Sequence, residues 1–334
     1  MELSGLPPVS TPMPWQQELW RQLQQQFEAG QLPHALLLSG PPDTGKRRLA
    51  LALARKLLCR EPVDGMNCGQ CHACHLSAGG THGDLCWLEP GEKSRVIKID
   101  QVRTVVEFAN KTASFGRRKV IVLAPADSMN SNAANALLKS LEEPAAETYL
   151  FLVCHRLQGV PATIRSRCQI RKLATPAREE ALDWLDLTTG ERAISEQLLT
   201  LADGRPMLAE SLHLGGGAEQ LLALRQGLQG LMSGQGGVSA VGPLLADLDI
   251  EDLLARVGDE LRRLLRDSPP ECLSGPRGRA AFRLLDEVLA IQRAVAGGAN
   301  PNRQLLVEAL LAKVQRELGM GAQGDNMASD GGGH

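Results

Sequence analysis

Ala35-Leu36-Leu37-Leu38-Ser39 runs without a break into Gly40-Pro41-Pro42-Asp43-Thr44-Gly45-Lys46-Arg47. The first five residues form a short apolar run that reads as a buried strand, and the glycine and proline cluster behind it reads as a turn. Residues 48–58 then carry apolar side chains at helical spacing. Strand, glycine turn and helix in that order are the setting of a phosphate loop. There backbone N–H groups face an anion at a helix N-terminus and a lysine reaches the outer phosphates. Gly40, Gly45 and Lys46 fit the pattern G-x-x-x-x-G-K. The next position fails: a Ser or Thr hydroxyl belongs on Mg²⁺ there, and Arg47 brings only positive charge. On the loop alone, a glycine turn that holds no ligand is a competing reading.

Outward from the loop, a helix is expected over 15–28. Lys119–Leu123 and residues 148–153 are further buried-strand candidates, and 132–141 reads as a helix ending before Pro144. Asp100 reads as the cap of a helix through about residue 111. Strands alternating with helices imply a parallel sheet. The strand from Lys119 ends in Ala124-Pro125, where an ATPase carries one acid for the metal and another for water. Two independent losses, one hydroxyl and one acidic pair, both remove metal-dependent hydrolysis. Asp127 comes three residues late. Nucleotide binding without turnover and a vestigial, empty pocket both fit this loop.

After Pro176 the strands stop, and 178–186, 195–202 and 206–212 read as three short helices. Gly215-Gly216-Gly217 marks a linker. Beyond it Leu254, Val257, Leu261, Leu264 and Leu265 recur at helical spacing, as do Leu284, Leu285, Val288 and Ile291, then Leu306, Leu310 and Val314. That pattern predicts a helical bundle. The segment 319–334, rich in Gly, Asp and Ser, is expected to be disordered.

At 334 residues the chain is too long for one ordinary core, so two or three domains are expected. Hydrophobic residues make up 43% and charged residues 22%, which excludes a mainly disordered chain. Lys and Arg number 36 against 38 Asp and Glu, so no global basic field draws the protein onto nucleic acid. Four Trp, five Phe and the single Tyr149 leave few stacking platforms for single strands. No apolar run reaches the length of a membrane span, and Met1–Pro14 lacks the charged and apolar regions of a signal peptide. A cytoplasmic address follows as the default, and with it reduced thiols.

Cys59, Cys68, Cys71 and Cys74 form C-x8-C-x2-C-x2-C. Four soft thiolates in a short stretch of a reduced chain suit tetrahedral Zn²⁺. With sulfur at every position no place is left for water, so the role would be structural. His72 and His75 offer alternative ligands for one position. Cys86, Cys154, Cys168 and Cys272 are isolated, and buried packing is the expected role of each. A zinc-dependent DNA-binding module is one rival reading, disfavoured by the charge balance and the aromatic count.

His34-Ala35-Leu36-Leu37-Leu38 ahead of the loop, the four-cysteine insertion and Ile99-Asp100-Gln101-Val102-Arg103 come in that order. They are followed by the run Asn135 to Pro144, with Leu141-Glu142-Glu143 near its end, and by Thr163-Ile164-Arg165-Ser166-Arg167-Cys168. In these motifs, from about residue 33 to 168 and more loosely to 318, the sequence resembles the clamp-loader subunits of bacterial DNA polymerase III. The resemblance implies an α/β AAA+ domain of phosphate-loop type over 1–174, with a zinc module inserted at about 59–75. A helical lid over 175–216 and a helical collar that oligomerises over 217–318 would follow.

Motor subunits of that family, gamma or tau, keep the hydroxyl after the lysine and an Asp-Glu pair after the strand. This chain departs at both places and resembles the subunit that does not hydrolyse ATP. The resemblance further implies that Ser166, Arg167 and Cys168 form a Ser-Arg-Cys motif whose arginine reaches the ATP site of a neighbouring subunit. By sequence alone Arg167 would be solvated surface charge. In the lid, the nucleotide-sensing arginine of motor subunits is replaced by Met207, with Arg205 two residues off. The implied partners are gamma/tau and delta subunits in a hetero-pentamer, with the sliding clamp and primed DNA reached through the complex. The chain itself would have no autonomous catalysis. A hydrolysing motor that uses Asp127 as a substitute ligand is the alternative.

Overall fold

β1 is the run Ala35–Ser39, buried along its whole length, and the sheet extends outward from it on both sides. The computed structural model describes residues 7–91, 94, 96–246, 248–296 and 299–319. The chain divides into two compact units, 1–214 and 215–334. The first contains β1, β2 (Leu85–Leu88), β3 (Lys119–Leu123), β4 (Thr148–Cys154) and β5 (Gln169–Lys172), all parallel, in the order β2-β3-β4-β1-β5. Between the strands lie α1 (Gln17–Glu28), which precedes β1, then α2 (Lys46–Leu58), α3 (His72–Ala78), α4 (Ile99–Asn110), α5 (Ser131–Glu142) and α6 (Ala162–Arg165). After β5 come α7 (Arg178–Thr189), α8 (Arg192–Leu201) and α9 (Pro206–Gly215), in the stretches predicted to be helical.

Successive residues of the central strands enter opposite cores. Leu37, Ile121, Leu123, Leu150 and Leu152 pack with Val102 and Val105 of α4 and Leu137 of α5. Leu36, Leu38, Val120, Val122 and Phe151 pack with Leu49, Leu53 and Leu57 of α2. A sheet covered on both faces leaves no polar side for alternation, which is why these strands read as unbroken apolar runs.

The sequence predicts three strands and the sheet has five. The other two, β2 and β5, are its edges, and β5 exposes Gln169, Ile170 and Lys172, so its composition is set by solvent as much as by the core. Asp100 is not a cap: it lies in the first turn of α4, and the cap position is Lys98, whose N–H donates to Gln101 Oε1 at 3.0 Å. Asn130 caps α5 by accepting from Ala133 N at 2.8 Å.

The second unit holds α10 (Ala218–Ser233), α11 (Val238–Val241), α12 (Ile250–Asp267), α13 (Pro270–Ser274), α14 (Pro276–Ala296) and α15 (Arg303–Val314). Leu254, Val257, Leu261, Leu284, Val288, Leu310 and Val314 meet in one core, as their spacing predicts. On α15 the inward position is Val307 and not Leu306, which is half-buried. Cys272 on α13 is exposed, a correction to its expected packing role. Of the tail expected to be disordered, 320–334 lies outside the described residues.

Within this core Arg225 donates from Nε to Glu260 Oε1 at 2.9 Å, both side chains being buried. Glu260→Ala takes this carboxylate away from a buried guanidinium and is expected to cost about 3–5 kcal/mol. The midpoint of denaturant unfolding reads it; a cost below about 1 kcal/mol would put the pair among ordinary surface bridges.

Candidate functional site

The turn leaving β1 carries the first candidate residues. Gly45 caps α2 with φ +84, in the left-handed region that favours glycine, and a Cβ there would lie 2.6 Å from Met13 Cγ. A Cβ on Gly40 would meet Leu173 O at 2.1 Å. Lys46 is buried; its ammonium donates to Pro41 O within the loop, and burial pushes it down to about 8. Thr44 Oγ1 donates to the same carbonyl at 3.0 Å.

Arg47, standing where a hydroxyl would hold Mg²⁺, pairs with Glu89 just beyond β2 at 3.1 Å. Ala124, buried at the end of β3, and Pro125 supply no acid. Asp127 accepts from His155 N at 3.0 Å with one oxygen and from Arg156 N at 3.1 Å with the other, and its charge also acts on Lys46. The Met207 N–H donates to Asp43 O at 3.1 Å, and Arg205 Nε donates to Ala202 O at 2.9 Å. Among the described residues, the group of His, Cys, Asp or Glu side chains placed to hold a metal is the cysteine cluster and not this loop.

Arg167 follows α6, with Ser166 at the helix C-cap. Its Nε donates to Glu142 Oε1 at 2.7 Å and Nη2 pairs with the same carboxylate, while Nη1 donates to Thr163 O at 2.9 Å. The guanidinium is therefore presented at the end of α5, partly exposed, and none of these partners belongs to the phosphate loop. Cys168 is half-buried against the core and its thiol is pushed up to about 12 by burial.

Cys59, Cys68, Cys71 and Cys74 bring their sulfurs within 4.8 Å of one another. Cys59 and Cys71, and likewise Cys68 and Cys74, are 3.9 Å apart, and Cys74 to Cys59 is 3.6 Å. Four sulfurs about 2.3 Å from a tetrahedral zinc would be about 3.8 Å from each other. A disulfide, by contrast, needs about 2.05 Å. Three of the sulfur separations thus lie close to the tetrahedral spacing, and the donor set fits zinc. Burial pushes the Cys59 thiol up to about 12. Cys71 is also desolvated but falls to about 6 under hydrogen bonds from the backbone at Arg60 and Cys74. His72 is turned away to an edge contact with Phe115, ring centroids 5.9 Å apart.

Four residues that touch the candidate site residues, three at the loop and Glu142 at Arg167, were not singled out by their sequence. Met13 lies in a proline-rich segment without periodicity, Gln16 was legible only as part of the helix expected over 15–28, and Glu89 follows a strand that the pattern does not reveal. Glu142 was visible only as part of a motif. Nothing in spacing joins Met13 to Gly45 or Glu89 to Arg47, pairs that lie 32 and 42 residues apart.

A family model described as "DNA polymerase III, delta subunit" matches residues 15–177. The DNA polymerase III subunit delta' of Pseudomonas aeruginosa is 40% identical over 318 residues, covering 90% of this chain and 96% of that protein. The protein of that name from Escherichia coli K12 is 38% identical over 204 residues, 60% of this chain and 61% of its own length. Among solved structures, a DNA polymerase III gamma subunit-related protein of Thermotoga maritima aligns with TM-score 0.55 and 20% identity, over 89% of this chain and 99% of that one, which establishes a shared fold.

Proposed function

Because this chain belongs to the delta' subunit family of DNA polymerase III, we propose that it acts as the ATPase-inactive AAA+ subunit of a clamp loader. In this reading it joins gamma/tau and delta subunits to place a sliding clamp on primed DNA. The observation that carries the reading is the pairing of Arg47 with Glu89 where a metal-binding hydroxyl would stand, beside a β3 strand that ends without acids. In this reading the loop keeps its shape and lacks the side chains that would hold a metal. Arg167, held at the surface by Glu142 and Thr163, would act on the ATP of a neighbouring subunit. Residues 175–216 would serve as the lid and 217–318 as the collar. The four thiolates would hold one structural zinc, and the protein would work in the cytoplasm.

The purified chain is expected to hydrolyse ATP no faster than buffer, with or without magnesium. Arg47→Thr alone should stay inactive, since it restores one ligand and leaves Ala124-Pro125 unable to position water. Steady turnover by that single variant, measured as phosphate release, would show that the acidic pair is dispensable and would return the motor reading.

A further inference from the structure

The segment 7–13, ahead of α1, is held at both ends. At its start, Arg55 of α2 donates from Nη1 to Pro7 O at 2.6 Å and to Ser10 Oγ at 2.8 Å, and from Nη2 to Ser77 O at 3.0 Å on α3. Asn67, 1% exposed, accepts from Ser10 N at 2.9 Å and donates to Pro8 O at 2.7 Å. The same Asn67 amide lies 3.4 Å from Cys74 Sγ. Gly69, at φ +72, lies against Val9 so closely that a Cβ would be 2.7 Å from the Val9 methyl. Asn67 immediately precedes Cys68 and Gly69 immediately follows it, so the residues that grip the segment are fixed by the turn that carries a sulfur ligand.

At the other end the segment meets the phosphate loop. Met13, 5% exposed, lies against Gly45, and its N–H donates to Gln16 Oε1 at 3.0 Å. Gln16 Nε2 and Trp15 Nε1 both donate to Thr44 O, at 3.1 and 3.0 Å. Thr44 and Lys46 are 0% and 2% exposed beneath them. One continuous set of contacts thus runs from the cysteine cluster, through 7–13, to the loop.

We propose that the cysteine module is a clasp: with zinc bound it fixes the segment 7–13, and this segment keeps the phosphate loop closed. The proposal rests on the reading of Cys59, Cys68, Cys71 and Cys74 as zinc ligands. Metal holds the turn 67–71 in one geometry. Without it the four thiols lose their common centre, and the two hydrogen bonds of Asn67 and the Val9 contact lose their fixed partners. Arg55 keeps part of the grip from α2, so the effect is a local opening of the strap and loop and leaves the sheet intact.

The test uses the full chain, first assayed for metal content, in hydrogen exchange read by mass spectrometry. Zinc-loaded protein is compared with chelator-stripped protein and with zinc-loaded Asn67→Ala. Stripping, and Asn67→Ala with its zinc retained, are each expected to speed exchange in 8–13 and 43–46 about tenfold, the scale of losing two ordinary hydrogen bonds from a local opening equilibrium. Exchange in β1 and β4 should stay slow. Should stripping open β1 and β4 as well, zinc-loaded Asn67→Ala and Val9→Asp decide the matter, since neither removes a sulfur. Unchanged exchange at 43–46 in zinc-loaded Asn67→Ala, or in stripped protein of proven metal loss, overturns the clasp and leaves the zinc site standing. A wild-type chain that never takes up zinc overturns the metal reading itself, and that is known before any exchange is measured.

Discussion

Cys71→Ser is expected to lower bound zinc from one equivalent per chain to a small fraction of that, and to destabilise the first unit while the second keeps its own fold. A structural zinc closes its site by binding free energies of about 10–16 kcal/mol in small modules, and this energy is available to folding because the unfolded chain holds no such site. Cys71 carries one of the four sulfurs gathered within 4.8 Å of one another, so its loss leaves the site a ligand short. A serine hydroxyl neither ionises there nor matches a soft metal. The sulfurs lie on two sides of one short stretch, Cys59 just after α2 and Cys74 within α3, so metal binding joins α2 to the module. The core of the second unit draws no residue from that stretch. Metal analysis on purified variants and thermal unfolding followed separately in the two units would check this. Full zinc occupancy in Cys71→Ser would mean that the ligand set is wrong, and His72 or His75 would have to be reconsidered.

What could be read in advance follows from how local each signal is. The loop, the flanking strand and helix, and the cysteine spacing are all short-range patterns, and the structure places each of them where its spacing predicts. β1, β3 and β4 were legible because burial on both faces forces unbroken apolar runs. β2 and β5 were not, because an edge strand answers partly to solvent. Asp100 looked like a cap because residue type was the only guide, whereas the cap of α4 is formed by the Lys98 backbone and the Gln101 side chain. On α15, Leu306 and Val307 are neighbours of similar hydrophobicity, and periodicity alone does not choose between them. The contacts that close the loop were out of reach, since Met13 on Gly45 and Glu89 on Arg47 join segments with no shared pattern. Sequence could show that Arg47 stands where the phosphate-loop pattern calls for a hydroxyl. It could not show which carboxylate would take up the charge.

Arg167→Ala, assembled with its partners, is expected to lower clamp-stimulated ATP hydrolysis while leaving folding, zinc content and entry into the complex unchanged. In the free chain the guanidinium is tied to Glu142 and Thr163, but both side chains of the ion pair are well exposed, at 34% and 48%. Surface pairs of this kind contribute about 0–1 kcal/mol, so a neighbouring triphosphate can take the arginine from Glu142 at little cost. Positive charge beside the γ-phosphate offsets charge developing during phosphoryl transfer, and such arginines are worth about 10³–10⁵ in rate at the site they serve. In the proposed ring only the one adjacent site would lose this, the other junctions keeping arginines of their own, so total hydrolysis would fall by one site's share. Arg167→Lys should rescue poorly, since a compact ammonium does not reproduce the planar fork that now spans Glu142 and Thr163. Glu142→Gln provides the complementary measurement: it frees the arginine without removing it, and hydrolysis should hold at or above the wild-type rate. The decisive comparison reconstitutes the complex with wild-type, Arg167→Ala and Glu142→Gln chains and follows hydrolysis and clamp loading together. Equal rates for wild-type and Arg167→Ala would return Arg167 to the class of solvated surface charges, tied to Glu142 for no catalytic purpose.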